Sequence, residues 1–153
     1  DLQESFMNIA TAKVATSAYE AFDMNILRRG DAVTLNKNRQ LADAKAAVLE
    51  LANAGYVQKP QANNIRVQGK AGLALVAAGV NGMRMGNYAS DHDVKIANKI
   101  GWIMCGGDLS YPQEVSEQYL LDLEREAFLS LCGEPKTLER IESIINRGKP
   151  LRN

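Results

Sequence analysis

The chain has 153 residues, of which 46% are hydrophobic and 24% are charged, a profile typical of one folded domain with a sizeable core. Its 18 basic and 18 acidic residues cancel at pH 7, so no global field favours nucleic acid or an anionic membrane surface as a partner. The longest apolar stretch, residues 71–80, is much shorter than the roughly 20 residues of a membrane span. We therefore expect neither nucleic-acid binding nor membrane insertion.

The N-terminal residues lack the basic, apolar and small-residue pattern of a secretory signal, and we expect a cytoplasmic protein.

The first third of the chain is predicted to form three helices and one strand. Ser17 and Glu20 have the S-x-x-E spacing of a capping box, and Gly30 ends the short element that they open. The predicted elements are a helix at 2–14, the short helix from 17, an edge strand at 31–35 with alternating and β-branched residues, and an alanine-rich helix at 39–54 that Gly55 terminates.

A linker and four helices are predicted to follow. Pro60 and the Asn63-Asn64 pair indicate a loop, with a brief extended piece at 65–67, and we predict a linker over residues 58–68. Four helices with short connections favour a compact bundle, so the predicted fold class is mainly α with one or two short strands. The helices are expected at about 70–86, 91–105, 116–132 and 138–147, with Ser90, Ser116 and Thr137 as N-cap residues of the last three.

Three helix faces carry packing predictions. Glycines at helical spacing remove side chains from one face of the helix at 70–86. Each glycine lowers helix stability by roughly 1 kcal/mol relative to alanine unless a neighbour packs closely against it. We therefore expect a close helix crossing on this face. The apolar stripe of the last helix must dock, because so short a helix is marginal alone. The glycines are Gly72, Gly79, Gly82 and Gly86. The apolar stripe of the last helix consists of Leu138, Ile141, Ile144 and Ile145. The helix at 39–54 has an apolar stripe of Leu41, Ala44, Val48, Leu51 and Ala52.

Glu124 is inconsistent with its predicted surroundings. At 100° per residue it falls within the apolar face of the helix at 116–132, where a carboxylate needs a partner. One interpretation is a buried acid with a raised pKa that could transfer a proton. The other is a structural ion pair with Arg140, Arg147 or Arg152 that anchors the C-terminal tail. We favour the ion pair, because no second carboxylate, His or Ser lies at a spacing that would complete a general acid/base pair.

Metal and nucleophile chemistry has few candidates. Cys105 and Cys132 each lie in an apolar helical pattern, without a second Cys or a His at metal-ligand spacing, and we expect two buried thiols and no metal site. His92 lies between Asp91 and Asp93 in the first turn of a predicted helix. A catalytic or metal-binding role is one interpretation, but a solvated first-turn residue fits better, because a single imidazole has no nucleophile or further ligands nearby.

Segments spread along the chain resemble one protein family. The residues Glu124–Thr137, EREAFLSLCGEPKT, and the tail Gly148–Asn153, GKPLRN, are similar to the end of bacterial multifunctional β-oxidation proteins, in which a 3-hydroxyacyl-CoA dehydrogenase is fused to a crotonase-type enoyl-CoA hydratase. The similarity continues upstream through Ser17–Ala21, Asn25–Leu27 and Asp43–Lys45. The chain as a whole resembles the C-terminal segment of such a protein.

The resemblance implies how the chain is divided. Residues 1–57 would be the C-terminal end of a crotonase-type core, 58–68 a linker, and 69–153 a helical bundle ending in the GKPLRN tail. The catalytic residues of both activities would lie upstream, so no catalytic residue and no cofactor is expected within this chain. Asn25 stands where crotonases usually have glycine, and we expect the turn to persist because asparagine tolerates the left-handed conformation.

The resemblance also implies partners. The parent enzyme would act on acyl-CoA thioesters with NAD, and this segment would have a structural role, packed on upstream domains of the same polypeptide and contributing to self-association. Two other classes stay open: a free-standing helical interaction domain, and an acyl-CoA-binding module without catalysis. An exposed apolar face would indicate a segment that lacks its partner, whereas an acyl-CoA-binding module would need a basic pocket.

Three basic side chains are candidates for contact with CoA phosphates: Arg28, Lys45 and Lys70. Lys70 belongs to Gly69-Lys-Ala-Gly72, which could offer amides and an ammonium to a phosphate at a helix start. The segment lacks the complete P-loop and dinucleotide-binding patterns. Packing or a turn at the two glycines, and solvated side chains at the three basic residues, are the interpretations that we favour.

Overall fold

The computed structural model describes residues 2–153 and is mainly helical, which confirms the predicted fold class. Among these residues no helix is long and apolar enough to cross a membrane. The elements in chain order are α1 (Leu2–Ala10), α2 (Ala18–Asp23), a 3-10 helix (Lys37–Arg39), α3 (Gln40–Asn53), β1 (Ile65–Val67), α4 (Gly69–Met85), α5 (Asp91–Met104), β2 (Gln113–Val115), α6 (Glu117–Cys132) and α7 (Pro135–Arg147).

The described chain forms two compact units. One unit, here called the helical unit, comprises the N-terminal segment up to Lys13 together with Gln61–Asn153; the other is Val14–Pro60. This division differs from the predicted one in two ways. The first helix belongs with the later helices, and residues 61–68 are part of the helical unit rather than a linker, because β1 pairs with β2 there.

The core of the helical unit lies where α4, α5 and α1 meet. Its buried members are Phe6, Val76, Val80, Ala97 and Cys105, of which Cys105 is completely buried and Val80 is 1% exposed. The large aliphatic and aromatic side chains among them each contribute about 1.5–3 kcal/mol through burial. Phe6 therefore ties the N-terminal helix to a core that is otherwise built much later in the chain.

A short antiparallel ribbon lies beside this core. Ile65 pairs with Val115 and Val67 with Gln113, and the side chain of Val67 is only 2% exposed. The extended piece predicted at 65–67 is therefore confirmed as a strand. Its partner, β2, is a strand that the sequence patterns did not indicate.

Close helix packing occurs at two glycines. A Cβ on Gly72 would lie 2.8 Å from Cys105 Sγ, and a Cβ on Gly101 would overlap Val76 Cγ1, so α4 and α5 can approach as they do only without these side chains. The prediction of a close crossing is thus correct at Gly72. It is wrong at Gly79 and Gly82, where a Cβ would meet nothing within 4 Å.

The unit Val14–Pro60 begins with the predicted cap. Ser17 Oγ accepts a hydrogen bond from the Glu20 amide at 3.1 Å, while the Glu20 carboxylate accepts from the amide and hydroxyl of Thr16 at 2.7 and 2.6 Å. The acid thus binds one residue before the N-cap rather than the cap itself. After α2, Asn25 adopts φ +57°, which confirms that asparagine sustains the left-handed turn.

The strand predicted at 31–35 is wrong. These residues form no strand and pair with none of the described strands. The segment instead lies along α3, lining a cleft with Asp43, Ala44 and Ala47, and Thr34 Oγ1 donates to Asp43 Oδ2 at 3.1 Å. A helix provides side-chain contacts but no free main-chain edge, so the alternating pattern has no ladder to join.

The helix predicted at 39–54 is confirmed as α3, and Gly55 follows it with φ +77°. Its apolar stripe, however, faces outward. Leu41 is 83% exposed, Val48 63% and Leu51 52%. The helix is therefore amphipathic, and the rest of the unit Val14–Pro60 leaves its large apolar side chains uncovered.

The apolar stripe predicted to dock on the last helix is mostly exposed, with only Ile141 half-buried. The buried residues of α7 are Thr137 and Ser143, whereas Leu138, Ile144 and Ile145 are 48%, 57% and 76% exposed. The helix also starts earlier than predicted, at Pro135, because proline suits the first position of a helix. Thr137 consequently lies inside the first turn and is not the N-cap residue.

Candidate functional site

An apolar groove runs between α5 and α6. Its volume is about 440 Å³, within the range typical of small-molecule sites. Isoleucines recurring at helical spacing on α5 form one wall, and leucine and phenylalanine side chains of α6 form the other. The lining residues are Ile96, Lys99, Ile100, Ile103, Leu121, Glu124, Arg125, Ala127, Phe128 and Leu131.

Three charged residues line this groove, and both cations have partners. Lys99 Nζ lies 5.7 Å from the centroid of the Trp102 ring, a distance at which the ring face attracts a cation. Arg125 Nη1 lies 2.8 Å from Asp122 Oδ1. The third charged residue, Glu124, is exposed. The groove is therefore a mostly apolar surface with charges of both signs at its margin.

The predicted ion pair of Glu124 is wrong. Arg140 Nη1 instead binds Asp93 Oδ1 at 2.8 Å, with the two side chains 18% and 29% exposed. Glu124 needs no buried partner, because the groove leaves its side of α6 open to solvent. Arg152 is exposed, and Arg147 lines a polar cleft near the end of α7.

Polar contacts join the first turns of α5 to the first turns of α7. His92 Nε2 lies 3.0 Å from Thr137 Oγ1, and both side chains are buried. The Asp93–Arg140 pair lies beside this contact, and Lys95 Nζ binds Glu134 Oε1 at 2.8 Å. The expectation that His92 is solvated is wrong, because α7 covers it. We call these three contacts the α5–α7 clamp.

The clamp perturbs the pKa values of its members. Burial, and then the positive charge of Arg140, lower the pKa of His92. Burial alone would raise the pKa of Asp93, but hydrogen bonds from Ser90 and Arg140 outweigh that effect and hold it below its usual range. The hydrogen bond from Lys95 likewise lowers the pKa of Glu134. The clamp thus favours a neutral imidazole and two ionised carboxylates.

The C-terminal tail binds the same cluster. Asn153 Oδ1 accepts from Arg140 Nε at 2.8 Å, and its Nδ2 donates to Glu139 Oε2 at 2.6 Å. The main-chain oxygen of Asn153 accepts from the Ser90 hydroxyl at 2.9 Å. Arg140 therefore anchors the tail through Asn153 and Asp93, and not through the ion pair with Glu124 that the sequence predicts. Ser90 also forms a complete capping box with Asp93 at the start of α5.

The three basic residues that are candidates for contact with CoA phosphates are each exposed: Arg28, Lys45 and Lys70. Arg28 and Lys45 belong to the unit Val14–Pro60, and Lys70 belongs to the helical unit. Their phosphate contact stays a prediction.

The amides next to Lys70 already have acceptors. The Gly69 amide donates to the Cys105 carbonyl and the Lys70 amide to the Leu109 carbonyl, both at 2.9 Å. A Cβ on Gly69 would lie 2.6 Å from the Leu109 oxygen. Packing and a turn therefore explain both glycines of this segment.

The two thiols differ in exposure. Cys105 is completely buried, and burial raises its pKa, whereas Cys132 is half-buried. The prediction of two buried thiols is thus correct only for Cys105. Among residues 2–153 no group of three or more His, Cys, Asp and Glu side chains could hold a metal ion.

Sequence patterns could have indicated part of this site. Ile96, Ile100 and Ile103 have the spacing of one helix face, and Ser90-Asp-His-Asp93 has that of a capping box. The α5–α7 clamp had no such signal, because its partners are far apart in sequence. The α5–α7 clamp can hold the two helices together, and the groove between α5 and α6 offers an apolar surface.

The fold and site define a mainly helical module with a polar clamp and an open apolar groove. The chain is 42% identical over 150 residues to a protein of Bacillus subtilis (strain 168) described as a "Probable 3-hydroxyacyl-CoA dehydrogenase". That similarity covers 98% of this chain but only 19% of the relative, so the chain spans about a fifth of the relative's length. No protein-family model matches the chain, and no solved structure matches it.

Proposed function

We propose that this chain is a non-catalytic, structural segment of a 3-hydroxyacyl-CoA dehydrogenase of fatty-acid β-oxidation. The observation that carries the proposal is the similarity to the Bacillus subtilis relative, which is 42% identical over 98% of this chain. More than four-fifths of that relative lies outside the match. Such a segment would have the remaining domains of the same polypeptide as its partners. The dehydrogenase would oxidise the 3-hydroxyl group of an acyl-CoA thioester, with NAD accepting the hydride.

The environment of His92 supports a structural role. It is the single histidine of the chain, and its ring is buried with Nε2 against Thr137. A general base must reach the proton that it abstracts, and a ring covered by α7 cannot meet a substrate hydroxyl. A catalytic histidine of the dehydrogenase would therefore come from another part of the polypeptide.

Three finer parts of the proposal rest on other grounds. An enoyl-CoA hydratase activity in the same polypeptide is supported by the resemblance of Ser17–Ala21 and the GKPLRN tail to the multifunctional proteins. Self-association is supported by the exposed apolar stripe of α7, since such surfaces commonly form interfaces. A cytoplasmic location stays a prediction.

The test compares two forms of the protein. Intact mass of the native protein, captured from cells with an antibody to this chain, establishes the length of the natural polypeptide. Both that polypeptide and the isolated 153-residue chain are then assayed for acetoacetyl-CoA reduction with NADH and for crotonyl-CoA hydration. We expect a natural polypeptide well above 16.7 kDa that reduces acetoacetyl-CoA, and an isolated chain that is silent in both assays.

Each contrary result removes a different part of the proposal. A natural protein of the mass of this chain would contradict its being a segment. Turnover by the isolated chain would contradict a purely structural role. Reduction without hydration by the natural polypeptide would leave the dehydrogenase assignment and remove the hydratase.

A second candidate function is binding of an acyl chain without chemistry. The observation that favours it is the α5–α6 groove, whose volume is about 440 Å³ and whose walls are largely apolar. Calorimetric titration of the isolated chain with decanoyl-CoA and with CoA alone separates acyl binding from nucleotide binding. Saturable binding of decanoyl-CoA that Ile100→Asp abolishes would support this function, and equal heats for wild type and variant would exclude the groove as the site.

A further inference from the structure

The unit Val14–Pro60 buries very little apolar surface. It leaves the helical unit after Lys13 and rejoins it at Gln61, and between these points the buried hydrophobic residues are Ala21 and Met24. A folded segment must bury enough apolar surface to offset the conformational entropy lost on ordering. Two such residues are too few for this segment to be stable by its own contacts.

Large hydrophobic side chains of this unit are exposed instead. On α3, Leu41 and Val48 are 83% and 63% exposed, and outside it Leu35 and Val57 are 83% and 80% exposed. The exposed residues lie on the helix and on the segments before and after it. Exposed apolar side chains spread over the helix and the segments on both sides of it fit a partner that the whole segment contacts.

The helical unit also exposes large hydrophobic side chains, such as Met85 and Ile145, but it has a buried core of its own. Phe6, Val76, Val80 and Cys105 form this core. The helical unit therefore has the internal contacts of an autonomous fold. The lack of a core is confined to Val14–Pro60.

We propose that Val14–Pro60 is a docking arm that becomes stably folded only against another domain of the same longer polypeptide. This inference rests on the proposed function. The relative extends far beyond the matched 19% of its length, so a much larger body of chain is available to the corresponding segment there. A covalently linked partner is also present at high effective concentration, which favours it over a second copy of the chain.

Hydrogen–deuterium exchange of α3 amides tests the arm in the full natural polypeptide and in the isolated 153-residue chain. We expect amides of α3 to exchange at least about tenfold more slowly in the natural polypeptide, because docking suppresses local opening. Amides of α4 and α5 serve as the internal control, and they should exchange at similar rates in both proteins.

Two variants of the natural polypeptide identify the docking face. Val48→Asp places a charge on the exposed apolar stripe of α3, and Ala46→Asp places the same charge on the opposite side of the helix, at an exposed position. We expect Val48→Asp to raise the exchange rates of α3 amides to those of the isolated chain and Ala46→Asp to leave them slow. Circular dichroism of both variants in the isolated chain controls for loss of the helix itself.

Each outcome decides the inference. If α3 amides exchange as slowly in the isolated chain as in the natural polypeptide, light scattering shows why. A monomeric isolated chain would mean that the segment folds unaided, and a dimeric one would assign the face to a second copy. Either result overturns the proposal. Fast exchange of α3 in the natural polypeptide also overturns it. The acetoacetyl-CoA assay tests the proposed function separately from the docking arm. An active polypeptide in which α3 exchanges fast would contradict only the docking arm. An inactive polypeptide in which α3 is protected would contradict only the dehydrogenase assignment.

Discussion

Arg140 of α7 binds Asp93 of α5 through a 2.8 Å contact between Nη1 and Oδ1, although the two residues are separated by 47 positions in the chain. The same guanidinium donates to the side chain of Asn153, and Asp93 caps α5 through Ser90. One arginine therefore connects a helix start, the last helix and the C-terminal tail. Removing it should loosen all three together.

Replacing Arg140 by methionine tests this connection. The change keeps most of the aliphatic side chain and removes hydrogen bonds to a partly buried carboxylate, and we expect it to lower the free energy of unfolding by about 2–3 kcal/mol. Arg125→Met is the matched control, because the Arg125–Asp122 pair has side chains 65% and 56% exposed and should contribute about 0–1 kcal/mol. Urea unfolding followed by circular dichroism measures both; equal losses would show that the Arg140 pair behaves as a surface contact.

His92 should make stability depend on pH. Its ordinary pKa is 6.5, and burial followed by the charge of Arg140 lowers it in the folded state. The unfolded chain therefore binds a proton at a higher pH than the folded chain, so the stabilisation is complete above pH 6.5 and is lost as pH falls towards the folded pKa. The carboxylate of Glu134 opposes this effect, while Lys95 and Lys136 add to it.

Thermal unfolding of wild type and His92→Gln at pH 7.5 and 5.5 checks that dependence. Glutamine offers a nitrogen near the position of Nε2 but does not titrate in this range, so the fall in Tm between the two pH values should be smaller in the variant. The carboxylates of Asp93 and Glu134 have lowered pKa values and titrate below this window. Parallel falls in Tm would exclude His92 as the origin.

Two glycine substitutions should have opposite signs. In Gly101→Ala the added methyl group meets Val76, and in Gly79→Ala it meets nothing within 4 Å. We expect Gly101→Ala to destabilise the protein by about 1–3 kcal/mol through overpacking. Gly79→Ala should stabilise it by about 0.5–1 kcal/mol, because alanine has the higher helix propensity. Denaturant midpoints of the two variants measure the difference, and a stabilising Gly101→Ala would show that the crossing is looser than described.

The two cysteines should react with a thiol reagent at different rates. Cys105 is completely buried with a raised pKa, so both access and thiolate formation are limited. Cys132 is half-buried. Under native conditions we expect one thiol per chain to be modified rapidly, with Cys105 modified only after unfolding, as peptide mass mapping would show. Rapid modification of Cys105 would indicate that the core opens readily.

The features that the sequence predicted correctly are local. Ser17, Ser90 and Ser116 each accept an amide three residues on, and Asn25 and Gly55 adopt positive φ. A cap or a turn depends on a few neighbouring residues, so its signal is present in a short segment. The starts of α2, α5 and α6 followed from these signals, whereas α1 ends at Ala10 rather than at residue 14.

The features that were predicted wrongly depend on distant partners. The apolar face of α6 predicts a buried Glu124, and the short length of α7 predicts a docked stripe, but Glu124 and most of that stripe are exposed. Instead, Thr137 and Ser143 are the buried residues of α7, because both hydroxyls have hydrogen-bond partners. Thr137 Oγ1 bonds with His92 Nε2, and the Ser143 hydroxyl donates to the main-chain oxygen of Lys149. Amphipathic pattern alone predicts which face is apolar, but not whether a covering element is present.

The β1–β2 ribbon has a consequence for the order of folding. Ile65 precedes α4 and Val115 follows α5, and the two residues pair directly. The ribbon therefore fastens both ends of the α4–α5 hairpin, and it can form at low entropic cost only once the hairpin has brought those ends together. Folding of this region should thus proceed from the hairpin outward, with the two strands pairing last and then holding the helix ends against fraying.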